Sequence, residues 1–226
     1  MKSRLRLQLQ TNPTQHARLV ALQHAFAQVC NELAPIAQQT ACWNRVALHH
    51  MVYKPMRAKF PDLGSQMICN AIYSVSRACR LVYQHPASPF NLQRLAGRPL
   101  PRVQFLPESP VYFDRHTLSL KDGQVSMFTL DGRMRFHMAL SAADEQRFRT
   151  EKLCEIVLTQ KTGQFNLSFQ LDDGLNAAGA SDDEDRDSNA ARNSELPEYM
   201  LVIADASPAA TSPAPLPAAP HSMTTS

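Results

Sequence analysis

The main change in the spacing of apolar residues along the chain, from a helical period to a strand period, lies near residue 84. Between residues 13 and 83 they recur every three or four positions, as on the buried face of a helix. From residue 102 to residue 171 they alternate with polar residues, as in half-buried strands. A separate alternating stretch, RLRLQLQ, occupies residues 4–10. The sequence therefore predicts an α+β fold, with helices inserted after the first strand.

Two long helices are predicted directly after this strand. Asn12 and Gln15 have the spacing of a capping box at the start of the first helix. Pro35 is expected to kink or end that helix, because proline cannot donate a backbone hydrogen bond. The second helix is predicted over residues 44–60, with these side chains buried: Val46, Leu48, Met51, Val52 and Met56.

A third helix is predicted to follow, with Asp62 or Ser65 as its N-cap. Its polar face carries amide, hydroxyl and guanidinium groups: Gln66, Asn70, Ser74 and Arg77, with Arg80 at its edge. Such a face is usually the solvated side of a surface helix. The same groups also read base edges and bind phosphates. The composition agrees with both interpretations.

The second half of the chain is predicted to form short antiparallel strands. Asp122–Gly123 and Asp131–Gly132 are typical of tight hairpin turns, and Ser141 is the expected cap of one short helix. The predicted strands are 103–106, 111–113, 117–120, 125–130, 134–140, 154–159 and 164–171. Together with residues 4–10 they could close a small antiparallel β-barrel around a three-helix insert.

The last part of the chain differs in composition from the rest. Residues 173–226 are acidic first and rich in Pro, Ala, Ser and Thr afterwards, so a disordered C-terminal tail is predicted. A short apolar segment, residues 198–206, interrupts the tail. Three regions are therefore expected: a barrel from residues 1–10 and 102–172, a helical lobe with a connector over 11–101, and the tail.

Charge is distributed unevenly. Residues 1–110 contain 13 Lys and Arg against 3 Asp and Glu, whereas the remainder contains 10 against 17. A basic surface favours phosphate-bearing partners through counterion release, although a domain with many surface arginines would also show this balance. The N-terminus has no apolar signal region and no apolar run reaches membrane-spanning length, so a cytoplasmic protein without membrane contact is expected.

The sequence contains no recognisable catalytic or metal-binding pattern. The five cysteines are widely spaced without a C-x-x-C pair, so reduced thiols are expected. His49 and His50 are adjacent on a helix and point about 100° apart, which prevents them from sharing one metal ion. The acidic cluster at 182–185 lies in the predicted disordered tail. No metal and no cofactor is therefore expected.

The order of these motifs resembles the N-terminal half of TnpB-type proteins. This family, also called OrfB transposases, comprises transposon-encoded RNA-guided DNA endonucleases related to type V CRISPR effectors. The resemblance covers residues 4–171 and rests on the segments LHHMVYKPMRAKFPDLGSQMICNAIYSVSRAC, PVYFDRHTLSLK, VSMFTLDGRMRF and GQFNLSFQLD. It implies that the barrel is an oligonucleotide-binding, wedge (WED) domain and that the helical insert is a recognition (REC) lobe. In the family these domains bind a guide RNA scaffold, read a motif beside the DNA target and hold the guide–target duplex.

Under this resemblance, the third helix and the loop before the hairpins are expected to contact nucleic acid. The residues expected there are Gln66, Asn70, Ser74, Arg77, Arg80, Asp114, Arg115 and His116. A second set is expected to hold phosphates: Arg4, Arg6, Lys54, Arg57, Lys59, Arg94, Arg98 and Arg102.

The family continues into a RuvC-like nuclease domain, and here only residues 198–206 resemble part of it. The match would place Asp205 at the first catalytic carboxylate. Two-metal hydrolysis needs several carboxylates, so the chain is expected to bind guide-type RNA and double-stranded DNA without cutting. Two alternatives stay open. The chain could be a truncated, inactive transposase remnant, or a scaffold subunit whose nuclease half comes from a separate chain.

Overall fold

The computed structural model describes residues 2–138, 140–172 and 199–203. Helices and strands follow one another in an order that confirms the α+β prediction. The elements are β1 (Lys2–Gln8), α1 (Pro13–Gln39), α2 (Arg45–Lys59), α3 (Ser65–Tyr83), α4 (Leu92–Leu95), β2 (Arg102–Phe105), β3 (Val111–Phe113), β4 (Leu118–Lys121), β5 (Gln124–Thr129), β6 (Gly132–His137), α5 (Ala142–Thr150), β7 (Lys152–Lys161), β8 (Gln164–Asp172) and β9 (Met200–Ile203).

Helix α1 begins with the predicted capping box. The Asn12 side chain accepts a hydrogen bond from the Gln15 backbone at 2.8 Å, and the Gln15 side chain accepts one from the Asn12 backbone at 3.0 Å. Pro35 does not end the helix, which continues to Gln39. Leu33 and Ala37 on either side of it are fully buried, so core packing outweighs the lost backbone hydrogen bond.

Removal of this cap has a measurable expected cost. Replacement of Asn12 by alanine should lower the free energy of unfolding by about 1 kcal/mol, because a backbone N–H at the start of α1 loses its acceptor. Urea denaturation followed by circular dichroism measures the change. Asn12→Ser is the control, since serine can cap the same position. Equal stability of the alanine and serine variants would contradict the role assigned to the cap.

Helix α2 buries one narrow stripe, made by Leu48, Val52 and Met56. Val46 and Met51 are 54% and 43% exposed, so the prediction that they are buried was wrong. A spacing of four residues keeps the buried stripe on the side of α2 that packs against α3, whereas Val46 and Met51 fall outside it.

Helix α3 starts without a side-chain cap. Gly64 occupies the N-cap position, and neither Asp62 nor Ser65 caps the helix as predicted. The turn between α2 and α3 is held instead by Arg57 of α2. Its guanidinium donates hydrogen bonds to the backbone oxygens of Phe60 and Leu63, at 3.2 and 2.6 Å. Tertiary contacts of the turn therefore set where α3 begins.

The strands form three antiparallel sheets, with orders β1-β8-β7-β3, β4-β5-β6 and β2-β9. Their bounds agree with the predicted ones to within about three residues, because alternation marks a half-buried strand directly. The described strands do not hydrogen-bond into one closed barrel, and the predicted barrel is not confirmed. A single core joins the sheets to α1, α2 and α3, with large buried side chains from each part: Leu22, Phe26, Ile68, Ile72, Phe165 and Phe169.

Strand β9 comes from the segment that was predicted from its sequence to correspond to the first RuvC strand. It pairs antiparallel with β2, where Phe105 lies opposite Met200 and Arg102 lies opposite Ile203. Asp205 lies outside the described residues. So do residues 173–198 and 204–226, to which the prediction of a disordered tail applies. In the described ranges, no helix has both the length and the apolar character that crossing a membrane requires.

Candidate nucleic-acid interface

The polar face of α3 is not solvated. Asn70 and Ser74 are only 7% and 5% exposed. This side of the helix packs against β3, and Ser74 also hydrogen-bonds to Cys30 of α1. The opposite side packs against α1 and α2, so both faces of α3 are covered. The usual interpretation of such a polar stripe, a surface in contact with water, is therefore wrong for this helix.

A cleft of about 320 Å³ lies between α3, the β3–β4 loop and the start of β7, and we call it the helix–loop cleft. The structure brings together here two groups of residues that are about 45 positions apart in the sequence. The residues that line it are Arg45, Gln66, Asn70, Tyr73, Tyr112, Phe113, Asp114, Arg115, His116, Leu153, Cys154, Glu155 and Ile156. Five of them, Gln66, Asn70, Asp114, Arg115 and His116, were predicted from the sequence to contact nucleic acid.

Asp114 holds the loop that forms one wall of this cleft. One carboxylate oxygen accepts hydrogen bonds from the backbone N–H groups of His116 and Thr117, both at 3.0 Å. It also accepts one from the Thr117 hydroxyl at 2.9 Å. The other oxygen accepts a hydrogen bond from the Gln66 amide. An Asp side chain that bonds to its own following backbone gives a stable local turn, and the Gln66 contact ties that turn to α3.

Arg115 extends from this loop towards α5. Its guanidinium donates long hydrogen bonds, of 3.5 and 3.4 Å, to the backbone oxygens of Phe148 and Glu151. It also lies 5.2 Å from the centre of the Phe148 ring. The residue stays largely exposed, as does His116. Both therefore remain available to a partner.

Asn70 has hydrogen-bonding capacity to spare. Its amide nitrogen donates a hydrogen bond to the Met67 sulfur at 4.0 Å, and among the described residues this is the hydrogen bond that the side chain makes. A thioether is a weak acceptor, whereas an amide can make four hydrogen bonds. Among the described residues, no buried side-chain nitrogen or oxygen lacks a hydrogen-bond partner, so the spare capacity of Asn70 does not by itself mark a binding position.

Arg77 is the centre of a buried polar cluster beside the cleft. Its guanidinium lies 2.5 Å from a Glu155 carboxylate oxygen and 3.2 Å from the Tyr112 hydroxyl. Tyr73 donates a hydrogen bond to the same Glu155 oxygen at 3.0 Å. The side chains of Arg77 and Glu155 are 24% and 15% exposed. The charge predicted to meet nucleic acid is thus already paired within the protein, and Arg77 has a structural task here.

The environment of the cluster favours one protonation state. Burial would lower the pKa of Arg77, but the Coulombic fields of Tyr112 and Glu155 outweigh it, so the pKa lies above its ordinary value. Burial raises the pKa of Tyr112, and it also raises the pKa of Tyr199 against the opposing charge of Arg77. At neutral pH Arg77 is therefore a cation, and Tyr112 and Tyr199 are neutral phenols.

A β-bulge places Glu155 in this cluster. The pairing between β7 and β8 shifts register between Leu153 and Glu155, which leaves Cys154 as the extra residue. Glu155 is then opposite Gln170 on the outer face of the sheet, where α3 approaches. Sequence reasoning missed Glu155, although a lone carboxylate in the apolar stretch LCEIVL was a possible signal.

A second cleft, of about 180 Å³, lies on the outer face of the four-stranded sheet, and we call it the sheet cleft. Tyr112 and Glu155 line both clefts, so the two are adjacent. The residues that line the sheet cleft are Arg4, Arg6, Arg77, Pro110, Tyr112, Glu155, Val157, Thr159, Ser168, Gln170 and Tyr199. Arg4 and Arg6 are exposed, and neither guanidinium has a hydrogen-bond or ion-pair partner within the described part of the chain. Both are therefore exposed cations, without an ion-pair partner among the described residues, on a polar face of the sheet.

The other residues predicted to hold phosphates do not line either cleft. Lys59 pairs with Glu32 at 2.7 Å, and Arg98 donates to the backbone oxygens of Leu95 and Arg94 at 3.3 and 3.4 Å. Arg57 holds the α2–α3 turn, and Arg80 is half-buried in the last turn of α3. Three side chains are simply exposed: Lys54, Arg94 and Arg102. The structure therefore concentrates the predicted contacts at Arg4, Arg6 and the helix–loop cleft.

Among residues 2–138, 140–172 and 199–203, no three His, Cys, Asp or Glu side chains are grouped so that they could hold a metal ion. No protein-family model matches this sequence, and no curated protein matches it significantly. The resemblance to TnpB-type proteins thus stays a prediction from its motifs.

Proposed function

We propose that this chain is a TnpB-like nucleic-acid-binding module, which holds a guide RNA scaffold and the DNA beside its target without cleaving it. The observation that carries the proposal is the adjacency of the two clefts. One contributes amide and imidazole groups suited to base edges, and the other contributes the exposed arginines Arg4 and Arg6. Phosphate contacts position a nucleic acid while base contacts select its sequence, and this surface offers both.

The charge of the folded part supports the same proposal. Residues 2–138, 140–172 and 199–203 contain 21 Lys and Arg against 11 Asp and Glu. Nine of the 20 acidic residues of the chain follow residue 172. A surface with this excess attracts polyanions and releases their counterions on binding.

In this proposal the three sheets act together as a wedge-like domain, with α1, α2 and α3 as the recognition lobe. Gln66 and Asn70 are the base-reading residues, because an amide presents a donor and an acceptor side by side, as an adenine edge requires. Asp114 keeps the loop closed against α3, and Arg115 and His116 contact the backbone beside the bases. Cleavage is not part of the proposal, because two-metal hydrolysis needs more carboxylates than the RuvC-like segment offers.

The identity of the nucleic acid is tested by sequencing the RNA that co-purifies with the full chain at moderate salt. The proposal expects one discrete structured RNA to be enriched over total RNA. A transposase remnant that folds without function would enrich none. A scaffold subunit would retain RNA or DNA only together with a separate nuclease chain, which mass spectrometry of the purified sample would identify. Bulk RNA without enrichment would overturn the guide-binding part of the proposal.

The surface is tested by a double variant, Arg4→Ala with Arg6→Ala. We expect at least a tenfold loss of affinity for duplex DNA, and a salt slope reduced by about 0.9 for each lost phosphate contact. Fluorescence anisotropy at several salt concentrations measures both quantities. These side chains are exposed and have no partner among the described residues, so the fold should not change. The control is Arg149→Ala, which also removes an exposed arginine, but one already paired with Asp122 and Glu145. Equal affinities for wild type, control and double variant would exclude the sheet cleft as the binding surface.

A further inference from the structure

The three-stranded sheet β4-β5-β6 has a basic outer face that the proposed function does not use. Apolar residues of its strands are buried: Leu118, Val125, Met127, Met134 and Phe136. Alternation therefore turns the intervening residues outward. These are Ser119, Lys121, Gln124, Ser126, Phe128, Arg133, Arg135 and His137, and none of them is acidic.

The middle of this face is positively charged and not neutralised. Two carboxylates, Asp122 and Asp131, lie in the two hairpin turns at its ends. Asp131 pairs with Arg18 at 2.5 Å, and Asp122 lies 3.5 Å from Arg149 and 3.9 Å from Lys121. Arg135 is exposed and its side chain has no hydrogen-bond or ion-pair partner in the ranges that the structure describes. The charge of the face is thus available to an anionic ligand.

An exposed aromatic ring stands beside this charge. Phe128 is 39% exposed, and the Arg133 guanidinium lies 4.3 Å from its ring centre. Arg133 is held in place by hydrogen bonds to the Ser126 backbone oxygen and hydroxyl, both at 3.2 Å, and to the His116 backbone oxygen at 3.0 Å. The ring and the planar cation are therefore fixed before any ligand binds. This arrangement is the one on which an unpaired nucleobase stacks.

We propose that the outer face of β4-β5-β6 binds single-stranded nucleic acid. A base stacks on the Phe128–Arg133 pair, and Arg135 and Lys121 contact phosphates along the strand. A single strand is favoured over a duplex because stacking on a side chain needs a base whose flat face is uncovered, which pairing within a duplex prevents. RNA and DNA strands share this chemistry. The proposal concerns a different surface from the two clefts and does not rest on the guide-binding function.

The test uses fluorescein-labelled single strands of about ten nucleotides, a length typical for one sheet platform, as RNA and as DNA. A duplex of the same sequence is measured in parallel. Phe128→Ala is expected to weaken single-strand binding about tenfold and to leave duplex binding unchanged, because one stacked base is lost. Phe128→Tyr should bind like the wild type. Arg135→Ala should reduce the single-strand salt slope by about 0.7, since one phosphate contact is lost.

The controls separate this site from the rest of the surface. Val46→Ala removes a comparably exposed apolar side chain on α2 and should change no affinity. Arg4→Ala with Arg6→Ala should weaken duplex binding while the single-strand affinity remains, so the two proposals can fail independently. A loss confined to RNA or to DNA identifies which strand is the ligand and supports the site. Unchanged single-strand affinity in a folded Phe128→Ala protein would overturn it, as would an equal loss for the duplex.

Discussion

Replacement of Glu155 by alanine is expected to lower the free energy of unfolding by about 3 kcal/mol, because it leaves the Arg77 charge buried without its partner. The Glu155 carboxylate accepts hydrogen bonds from Arg77 and Tyr73, and Arg77 also donates one to Tyr112. The change therefore removes the Tyr73 hydrogen bond as well. Urea denaturation of the variant and the wild type measures the difference. Glu155→Gln should lose less, since the amide keeps a hydrogen-bond acceptor but not the charge.

A second substitution, at Arg77, tests whether the loss in the Glu155→Ala variant comes from the broken ion pair. Arg77→Met combined with Glu155→Ala should recover a large part of the lost stability, because a buried ion pair can be replaced by apolar groups at little cost, whereas half of a pair cannot. The double-mutant cycle gives the coupling energy of the two residues directly. If the two single losses simply added up in the double variant, Arg77 and Glu155 would not act as a pair. Nucleic-acid affinity should be measured as well, because Glu155 lines both clefts.

Replacement of Phe169 by alanine is expected to cost about 4 kcal/mol, the value typical of a large aromatic side chain removed from a core. Phe169 is fully buried in β8, a central strand of the four-stranded sheet, and its ring meets that of Phe148 edge to face at 5.6 Å. The cavity would separate the sheet from α5. Thermal or urea unfolding measures the loss, and Phe169→Leu should lose much less because it keeps most of the volume.

The neighbouring position on the same strand supplies the matched control. Gln170 points to the opposite face of β8 and lines the sheet cleft. Gln170→Ala should therefore change stability by less than about 0.5 kcal/mol. A loss for Gln170→Ala as large as that for Phe169→Ala would show that the assigned faces of β8 are wrong. The same pair of variants separates effects on folding from effects on binding, since only Gln170 is placed to meet a ligand.

The local structure of this protein could be predicted well from its residues. The capping box of Asn12 and Gln15, the three helices and the strands that follow them all appeared where their patterns indicated. These features depend on neighbours within a few positions, and the sequence lists those neighbours directly. The predictions that failed concern features that depend on contacts between residues far apart in the sequence. Pro35 is accommodated within α1 because the residues on either side of it are in the core.

In the candidate site, too, the residue types could be predicted from the sequence, whereas their contacts could not. Gln66, Asn70, Asp114, Arg115 and His116 were predicted as contacts, but their meeting in one cleft follows from the packing of α3 on β3. The sequence could not show that Arg77 is already paired, because Glu155 is far along the chain and is aimed at it by a bulge in β7. Nor could it show that Phe128 and Arg133 meet on one exposed face.

The sequence by itself therefore determined the helices, the strands, the basic character of the folded part and the residue types available for binding. Only the tertiary structure decided which of those charges are paired with another group of the protein and which remain exposed on its surface. The physical reason is that a charge is neutralised by whichever group lies within a few ångströms of it, and such distances are set by packing between elements rather than by order along the chain. Arg77 and Arg6 look alike in the sequence. Arg77 is half-buried and paired with Glu155, whereas Arg6 is exposed at the sheet cleft without a partner among the described residues.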